Sequence, residues 1–578
     1  MEFKRQKMVA WYNLRQLATT GLKTLMSTIF GNYADRREVQ AALNDEGSFN
    51  YSDKNELWVD YISDLGDGFN STYTMAHLMA RENLKCNGEP IKRGDLLIMG
   101  GDQVYPTPEK KEYKNRLQGP YNAAYPWDDN TRLPHLFALP GNHDWYDGLN
   151  NFLKLFCQGR ALGNWHTQQK RSYFALKLPH RYWIWGIDVQ LSSDIDKPQL
   201  DYFDTIGNEM QAGDKVILCT AEPAWIYNSI NRGDLSYDRL DFFEGKYIRK
   251  RGFHHVATLT GDLHHYSHYV EIKKEDKEYK GKKHLITAGG GGAFMHPTHF
   301  LKKLITVNES SFLKSEVTET TSSFQLVKEY PSISASRKLA IWNLAFPVMN
   351  WGLPLTLGIF HLITSWFLQS TTKYRGVNSS FMENLNELEV SLQNIVPVLE
   401  VIQKTLSHNP SVVVLNLSLV AGLVWFTDTC FGKQKWNLLA GVPHALIHFI
   451  NLYFLVWLFS RINLSHWKLE LESGWQVMLF TGEMILIGGF LSGMIFGLYL
   501  IVSALIFESH PTEAYSSLRW TGYKNFLRIH ISKEGATIYS IGVKKVVKNW
   551  KDTGTEKQPK FQGDEIKYEL IETPFTLK

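Results

Sequence analysis

Carboxylate, amide and imidazole side chains recur in this sequence immediately after short apolar runs. Four such groups occur in order: Asp64-Leu65-Gly66-Asp67-Gly68, Gly101-Asp102, Gly141-Asn142-His143-Asp144 and Gly261-Asp262-Leu263-His264-His265. They follow ELWVDYISD, DLLIMGGD, HLFALPGNHD and HHVATLTGD, each of which reads as a strand ending in Asp, Gly or Asn. In an open α/β sheet, strand ends are where ligand-binding residues collect. A lone Gly-Asp pair carries no signal, since it is an ordinary turn. The ordered set of oxygen and nitrogen donors at these separations is specific, and donors of this kind hold divalent cations.

These motifs resemble the calcineurin-like metallophosphoesterase superfamily, whose pattern is DxH, GD, GNH(D/E), a single His and GHxH. The resemblance spans residues 55–305. It implies a four-layer α/β/β/α sandwich and hydrolysis of a phosphomonoester, phosphodiester or pyrophosphate bond by a metal-bound hydroxide. An anionic ester repels hydroxide unless its charge is neutralised, and two cations about 3.5–4 Å apart achieve this. By resemblance Asp102 bridges two metals, Asp64 binds one and Asn142 binds the other through its amide oxygen. His143 is then the acid that protonates the leaving alkoxide, with Asp144 orienting it.

The sequence departs from the family at three imidazole positions. DxH is DxG here, so Gly66 is no ligand and Asp67 is the candidate replacement. The isolated His falls on Glu222 in VILCTAEPAW. GHxH reads GDLH, with Asp262 in the first His position and His264 in the second. Two of the three replacements are carboxylates. An oxygen-rich site of this kind favours Mn²⁺ or Mg²⁺, with Fe or Zn as alternatives. One metal or two remains open. His265 and His166 are candidate substrate contacts, the latter in the Asn164-Trp165-His166 loop. Gly289–Gly292 reads either as a loop that lets the backbone approach a ligand or as a turn closing the sheets. His254, His255, His268, His296 and His299 have weaker claims.

The elements that must position these groups are legible as a succession of regions. Residues 1–50 read as a helical extension, which packs on the main domain or lies on a membrane surface. The basic N-terminus is followed by no long apolar run, which argues against a secretory signal. Residues 51–307 carry the α/β pattern, with the charge run 273–283 as a hairpin tip. Residues 308–336, rich in Ser, Thr and Glu, read as a linker. Residues 337–507 read as a transmembrane bundle of about four helices: Leu339–Leu368, Ser411–Thr427, Leu438–Phe459 and Met484–Phe507, the last with an alternative start near Trp475. Pro347 and Pro354 are expected kinks in the first. Glu483 sits inside the membrane or at its interface. Gly489, Gly493 and Gly497 present a smooth face for helix packing. His444 and His448 share a helix face, as a packing pair or as a metal or proton site. Phe381, Leu385, Leu388, Leu392, Ile395, Leu399, Ile402 and Leu406 form a heptad seam interrupted by Pro397. It pairs with a second subunit, lies on the membrane or packs on the spans. Residues 508–578 read as a small soluble β tail.

The whole-chain balance excludes some classes. Lys and Arg number 62 against 58 Asp and Glu, a net charge of +4, so no nucleic-acid partner is expected. The four cysteines, Cys86, Cys157, Cys219 and Cys430, form no paired spacing, which fits reduced thiols in a cytosolic setting. Seven Lys and Arg near one set of span ends (Arg337, Lys338, Lys433, Lys435, Arg519, Lys524 and Arg528) face five near the other (Lys373, Arg375, Lys404, Arg461 and Lys468). That bias puts the catalytic domain and the C-terminus in the cytoplasm. The expected function is a membrane-anchored, metal-dependent phosphoesterase. Its substrate is a phosphorylated small molecule or a phospholipid-like molecule, its surroundings a lipid bilayer, and its state open to homo-oligomers. The alternative is a catalytically silent regulator or ligand sensor of the membrane domain. A transporter with an accessory domain is weaker, because the spans carry few charges and no internal repeat.

Overall fold

The computed structural model describes residues 2–30, 47–86, 88–128, 134–189, 194–231, 234–272, 281–311, 318–373, 380–387, 395–428, 434–555 and 559–578. The chain divides into two compact units. One comprises Met1–Val9, Ala18–Ser336 and Arg519–Lys578. The other comprises Ala10–Leu17 and Arg337–Leu518.

The first unit is built on two nine-stranded sheets. In one, Leu57–Ile62, Leu96–Met99 and His135–Ala138 run parallel side by side. In the other, Tyr182–Gly186, Lys215–Cys219, His254–Thr260 and His284–Ala288 do the same. Parallel strands send their C-terminal ends to one edge of a sheet. The apolar runs are continuous, as expected of strands buried on both faces. Alternate residues divide between two cores. Leu57, Val59, Tyr61, Ile98 and Phe137 join Leu176, Ile184, Ile217, Ala257 and Ile286 in a cluster shared by the two sheets. Trp58, Ile62, Leu97, Met99 and Leu136 pack instead with Phe69, Tyr73 and Leu78 of the helix Phe69–Ala80.

Two expectations change. Residues 308–336 are not a linker. Leu304–Ser311 and Thr318–Tyr330 form an antiparallel hairpin, and Thr318–Tyr330 pairs with Tyr266–Ile272. The Thr-rich stretch suits a pleated strand because β-branched side chains pack well there. The C-terminal segment is not an appendage either. Lys524–Ser532 pairs antiparallel with Leu57–Ile62, and Gly535–Val543 pairs with Lys524–Ser532. Arg528 is wholly buried and ties the two regions together: its Nε donates to Asp60 Oδ1 at 2.9 Å, and its guanidinium also reaches the carbonyls of Ile91 and Met79. Of the N-terminal 50 residues, Leu14–Phe30 is helical. Residues 31–46, most of the 273–283 charge run and Cys430 lie outside the described residues.

In the helical unit, Asn437–His466 and Gly474–Phe507 are long and apolar enough to cross a membrane. Two bent pairs extend the number to four if each is one span: Ile333–Met349 with Gly352–Ser370, bent by 56°, and Leu399–Ser407 with Pro410–Trp425, bent by 111°. The first break falls between Pro347 and Pro354, where kinks were expected. Gly489, Gly493 and Gly497 pack closely: an added Cβ at Gly489 would come within 2.5 Å of Pro354 O, and one at Gly497 within 2.1 Å of Asn343 O. Glu483 is buried and accepts from Asn463 Nδ2 at 2.8 Å. His444 and His448 meet through their Nε2 atoms at 3.2 Å. The heptad seam is not one continuous stripe. Phe381 and Leu385 are buried, Leu399 is exposed, and Leu388 and Leu392 lie outside the described residues.

An integral C-terminal sheet makes a direct prediction. Arg528→Ala strands Asp60 as an unpaired buried charge and should destabilise the protein by about 3–5 kcal/mol. Chemical denaturation of the full chain in detergent measures it. A detachable tail would show no such loss.

Candidate metal centre

The strand ends converge on a pocket of carboxylates. Asp64 follows Leu57–Ile62, Asp102 follows Leu96–Met99, and Asp262 follows His254–Thr260. All three adopt left-handed backbone conformations, with φ of 62°, 48° and 63°. Each such non-glycine residue costs of order 1–3 kcal/mol, and strain of this kind clusters at functional sites. The surrounding backbone presses closely on them. A Cβ at Gly261 would come within 2.5 Å of Asp64 Oδ2, and one at Gly289 within 2.6 Å of the same atom. The glycine loop therefore serves a close approach, here to the Asp64 turn. Gly291 N donates to Ser63 O and Ala293 N to Asp64 O.

At the centre stands a residue the sequence reading missed. Tyr105 Oη lies 2.9 Å from Asp64 Oδ1, 2.9 Å from Asp102 Oδ2 and 3.0 Å from His264 Nε2. His264 Nδ1 is 2.8 Å from the Phe294 carbonyl, which only accepts, so Nδ1 donates and Nε2 carries a lone pair. One phenol hydrogen thus faces three acceptors. The excess of electron pairs shows in the protonation equilibria. Burial, then repulsion from Asp102 and Asp262, holds the Asp64 carboxyl well above the usual range. Burial and Asp262 raise Asp102 as well. Asn142 adds a buried side-chain oxygen with no hydrogen-bond partner. Carboxylate oxygens, an orphaned amide oxygen, a phenol oxygen and an imidazole lone pair form a donor set that fits a divalent cation.

The other expected residues divide. Asp262 belongs to the cluster: its amide donates to both Asp64 oxygens at 3.1 and 3.0 Å, and its carboxylate accepts from Tyr227 Oη. Glu222, after Lys215–Cys219, is pushed up to about 8 by burial and then by repulsion from Asp262. His143 N donates to Asp102 Oδ1 at 2.9 Å, and its ring packs on Tyr105 with centroids 4.5 Å apart.

Asp67 is held on one side only. Its Oδ1 accepts from Val9 N at 2.7 Å, and Arg116 stands 3.6 Å from the same oxygen, while its Oδ2 is buried with no hydrogen-bond partner. Asp144 does not orient His143. Its carboxylate accepts from Gly141 N, Gln103 N and Tyr113 Oη, which secures the turn instead. The His143 ring is held by the Pro106 carbonyl, 2.9 Å from Nδ1. His265 is fully buried one residue after His264. His166 lies on the strand Trp165–Thr167 and packs against Trp127 at 4.6 Å. His296 stacks on His264 at 4.0 Å, whereas His268 bonds Glu572 and His284. His255 meets Glu244, and His299 meets Ser336.

Among the described residues, the one set of three His, Asp or Glu residues whose ligand atoms lie within 4.8 Å of one another is elsewhere, at Asp428, His510 and Glu513. There Asp428 N donates to His510 Nε2 at 3.0 Å, so the imidazole proton sits on Nδ1, 3.4 Å from Glu513 Oε2. Tyr499 Oη also lies 2.9 Å from His510 Nε2, and the buried His510 Nδ1 has no hydrogen-bond partner. In the first unit the phenol oxygen stands among the donors and keeps them apart.

Glu222 gives a pH prediction. Its folded value of about 8 lies above the ordinary 4.5, so the folded state binds more protons between those limits and stability falls as pH rises through them. In metal-free protein, Glu222→Gln should remove this slope and stabilise the fold at pH 7 by at most about 3 kcal/mol. Denaturation curves from pH 5 to 8, compared with wild type, measure it. An unchanged slope would contradict the buried, repelled carboxyl.

Comparison with known proteins places part of the chain in a family. Residues 57–266 match the family model described as calcineurin-like phosphoesterase. Among solved structures, that of PhoD is 11% identical, covering 49% of this chain and 73% of its own, with a TM-score of 0.29. A purple acid phosphatase, PPD1 from yellow lupin (Lupinus luteus) seeds, is 12% identical, covering 42% of this chain and 46% of its own, also with a TM-score of 0.29. The search of curated proteins returns no match. The family match, rather than the structural likeness, carries the assignment. Through residues 57–266 this chain carries a domain of the calcineurin-like phosphoesterase family.

Proposed function

We propose that the chain is a membrane-anchored, metal-dependent phosphoesterase. The observation that carries this reading is the meeting of Asp64, Asp102 and His264 on one phenol oxygen. Asp64, Asp102, Tyr105, Asn142 and His264 would hold the metal, with Asp262 and Glu222 close by. Cations bound there supply the positive charge that lets hydroxide approach an anionic phosphoryl group. Oxygen donors dominate, which favours Mn²⁺ or Mg²⁺, while His264 and Tyr105 keep Fe and Zn as alternatives.

The chain's own residues contribute position and proton transfer. His143 donates Nδ1–H to the Pro106 carbonyl, which leaves Nε2 to take up a proton and pass it to the leaving oxygen. Burial holds this imidazole down to about 4, so it is neutral near pH 7 until an anionic substrate raises it. Asp102 fixes the His143 backbone while facing the donor set, so one carboxylate sets both parts of the site. Asp144 acts at one remove, by holding the turn that carries Asn142 and His143.

The four-layer sandwich is part of the proposal. It is supported by Phe69–Ala80 on the first sheet and by Phe203 and Phe243 against Trp185 on the second. The anchor is supported by two to four apolar helices. The charge argument for orientation weakens. Lys524 and Arg528 are wholly buried in the first unit, which leaves five basic residues on each side of the spans. A cytoplasmic placement then rests on the free thiols Cys86 and Cys219. A substrate at or near the bilayer follows from the anchor, and a phospholipid-like phosphoester is one such substrate.

Full-length protein in detergent, assayed with Mn²⁺ on an aryl phosphate monoester and diester, tests the reading. Asp102→Asn should lose both metal and turnover. His143→Ala should keep the metal and lose about 10²–10⁴-fold in kcat. A wild-type chain that takes up no divalent metal would rule out the enzyme.

A further inference from the structure

In the helical unit, two stretches of apolar helix end close to one another, and the residues just beyond them carry metal-binding side chains. Asp428 lies just beyond the helix Pro410–Trp425, and His510 just beyond the helical stretch that closes at Phe507. Glu513 follows in the short helix Pro511–Ser516. One ligand atom from each of these three residues lies within 4.8 Å of the other two. Two carboxylates gathered at this range repel one another unless a positive charge stands among them.

The imidazole supplies an independent observation. His510 is only 1% exposed, and its ring stacks on Phe426 with centroids 4.7 Å apart. Its backbone N donates to Asp428 Oδ2 at 2.8 Å. Its φ of 54° is left-handed, a costly conformation for a residue other than glycine and one that clusters at functional sites. Held in this way, the ring turns Nδ1 towards Glu513 Oε2 at 3.4 Å, and Nδ1 has no hydrogen-bond partner. That spacing is too long for a good hydrogen bond. It is the separation of two ligands on one tetrahedral ion, since zinc bonds of about 2.1 Å set their ligand atoms about 3.4 Å apart. The group that covers Nδ1 is therefore itself a ligand. The Glu513 side chain is 41% exposed, which gives an ion a way in.

The far ring nitrogen completes the fit. A metal-bound imidazole donates its other N–H to a neighbouring acceptor, which fixes the tautomer. Nε2 lies 2.9 Å from Tyr499 Oη, which accepts that hydrogen when an ion takes Nδ1. The Asp428 amide, 3.0 Å from Nε2, then gives up that acceptor. A bond to zinc outweighs one neutral hydrogen bond. We propose that Asp428, His510 and Glu513 bind one zinc ion, which ties the ends of the two apolar helices together. Two carboxylate oxygens and one imidazole nitrogen leave the fourth position to water. This site is separate from the phosphoesterase centre and does not depend on that reading.

The test uses full-length protein in detergent, stripped with a chelator and titrated with Zn²⁺ by calorimetry. The background is Asp102→Asn, which removes the metal of the first unit. One zinc per chain should remain, and it should raise the melting temperature. Glu513→Gln and Asp428→Asn should each weaken that binding about tenfold or more and cancel the thermal shift. Glu513→Gln should melt at the same temperature as its parent when both are free of zinc, which separates a lost ligand from a lost fold. Glu387→Gln, at an exposed carboxylate elsewhere in the helical unit, should change nothing. Absence of zinc from the Asp102→Asn protein, or zinc affinity and thermal shift that are indifferent to Glu513→Gln, would overturn the proposal.

Discussion

Asp64 and Asp102 are held in a buried pocket beside Asp262, where burial and repulsion between carboxylates disfavour their ionised forms. The fold holds this unfavourable group by force of packing. Three left-handed backbone turns, a glycine loop against Asp64 and a sheet core behind all of them leave the carboxylates no room to separate. The Tyr105 hydroxyl relieves the group only in part, because it brings one hydrogen to three acceptors. A bound cation would resolve the conflict by neutralising the repelling carboxylates.

The rest of the first unit follows from keeping that group in place. Parallel strands deliver the aspartates to the sheet ends, and their continuous apolar sequence anchors them in two cores. The C-terminal strand Lys524–Ser532 completes the sheet beside the strand that leads to Asp64. Its amide at Asn525 also donates to Gly290, in the glycine loop against the same turn. A segment far away in sequence thereby braces the site. The chain can interrupt this unit with an apolar-helix unit only because the final strands return to close the sheet.

Much of the site was legible because strand-end motifs are local: each apolar run and its terminal Asp or Asn lie within a few residues. What sequence could not supply was the direction in which side chains leave a turn. Asp67 reads as a substitute ligand, and the turn commits one of its oxygens to Val9 and Arg116 while the other stays buried without a partner. Asp144 looked like a partner for His143, yet it caps its own turn. Tyr105, three residues after Asp102, reads as one more core aromatic until the loop folds its hydroxyl onto the carboxylates. The fold was misread where partners are remote. A polar Thr-rich stretch looks like a linker until Tyr266–Ile272 is beside it, and residues 508–578 look detachable until Arg528 meets Asp60.

The central claim is that these carboxylates gather in order to hold a cation. Anomalous X-ray scattering from crystals of the full chain equilibrated with Mn²⁺ tests it most directly. The account predicts a peak among Asp64, Asp102 and Asn142 that vanishes in Asp102→Asn. A peak only at Asp428, His510 and Glu513, or no peak at all, would contradict it.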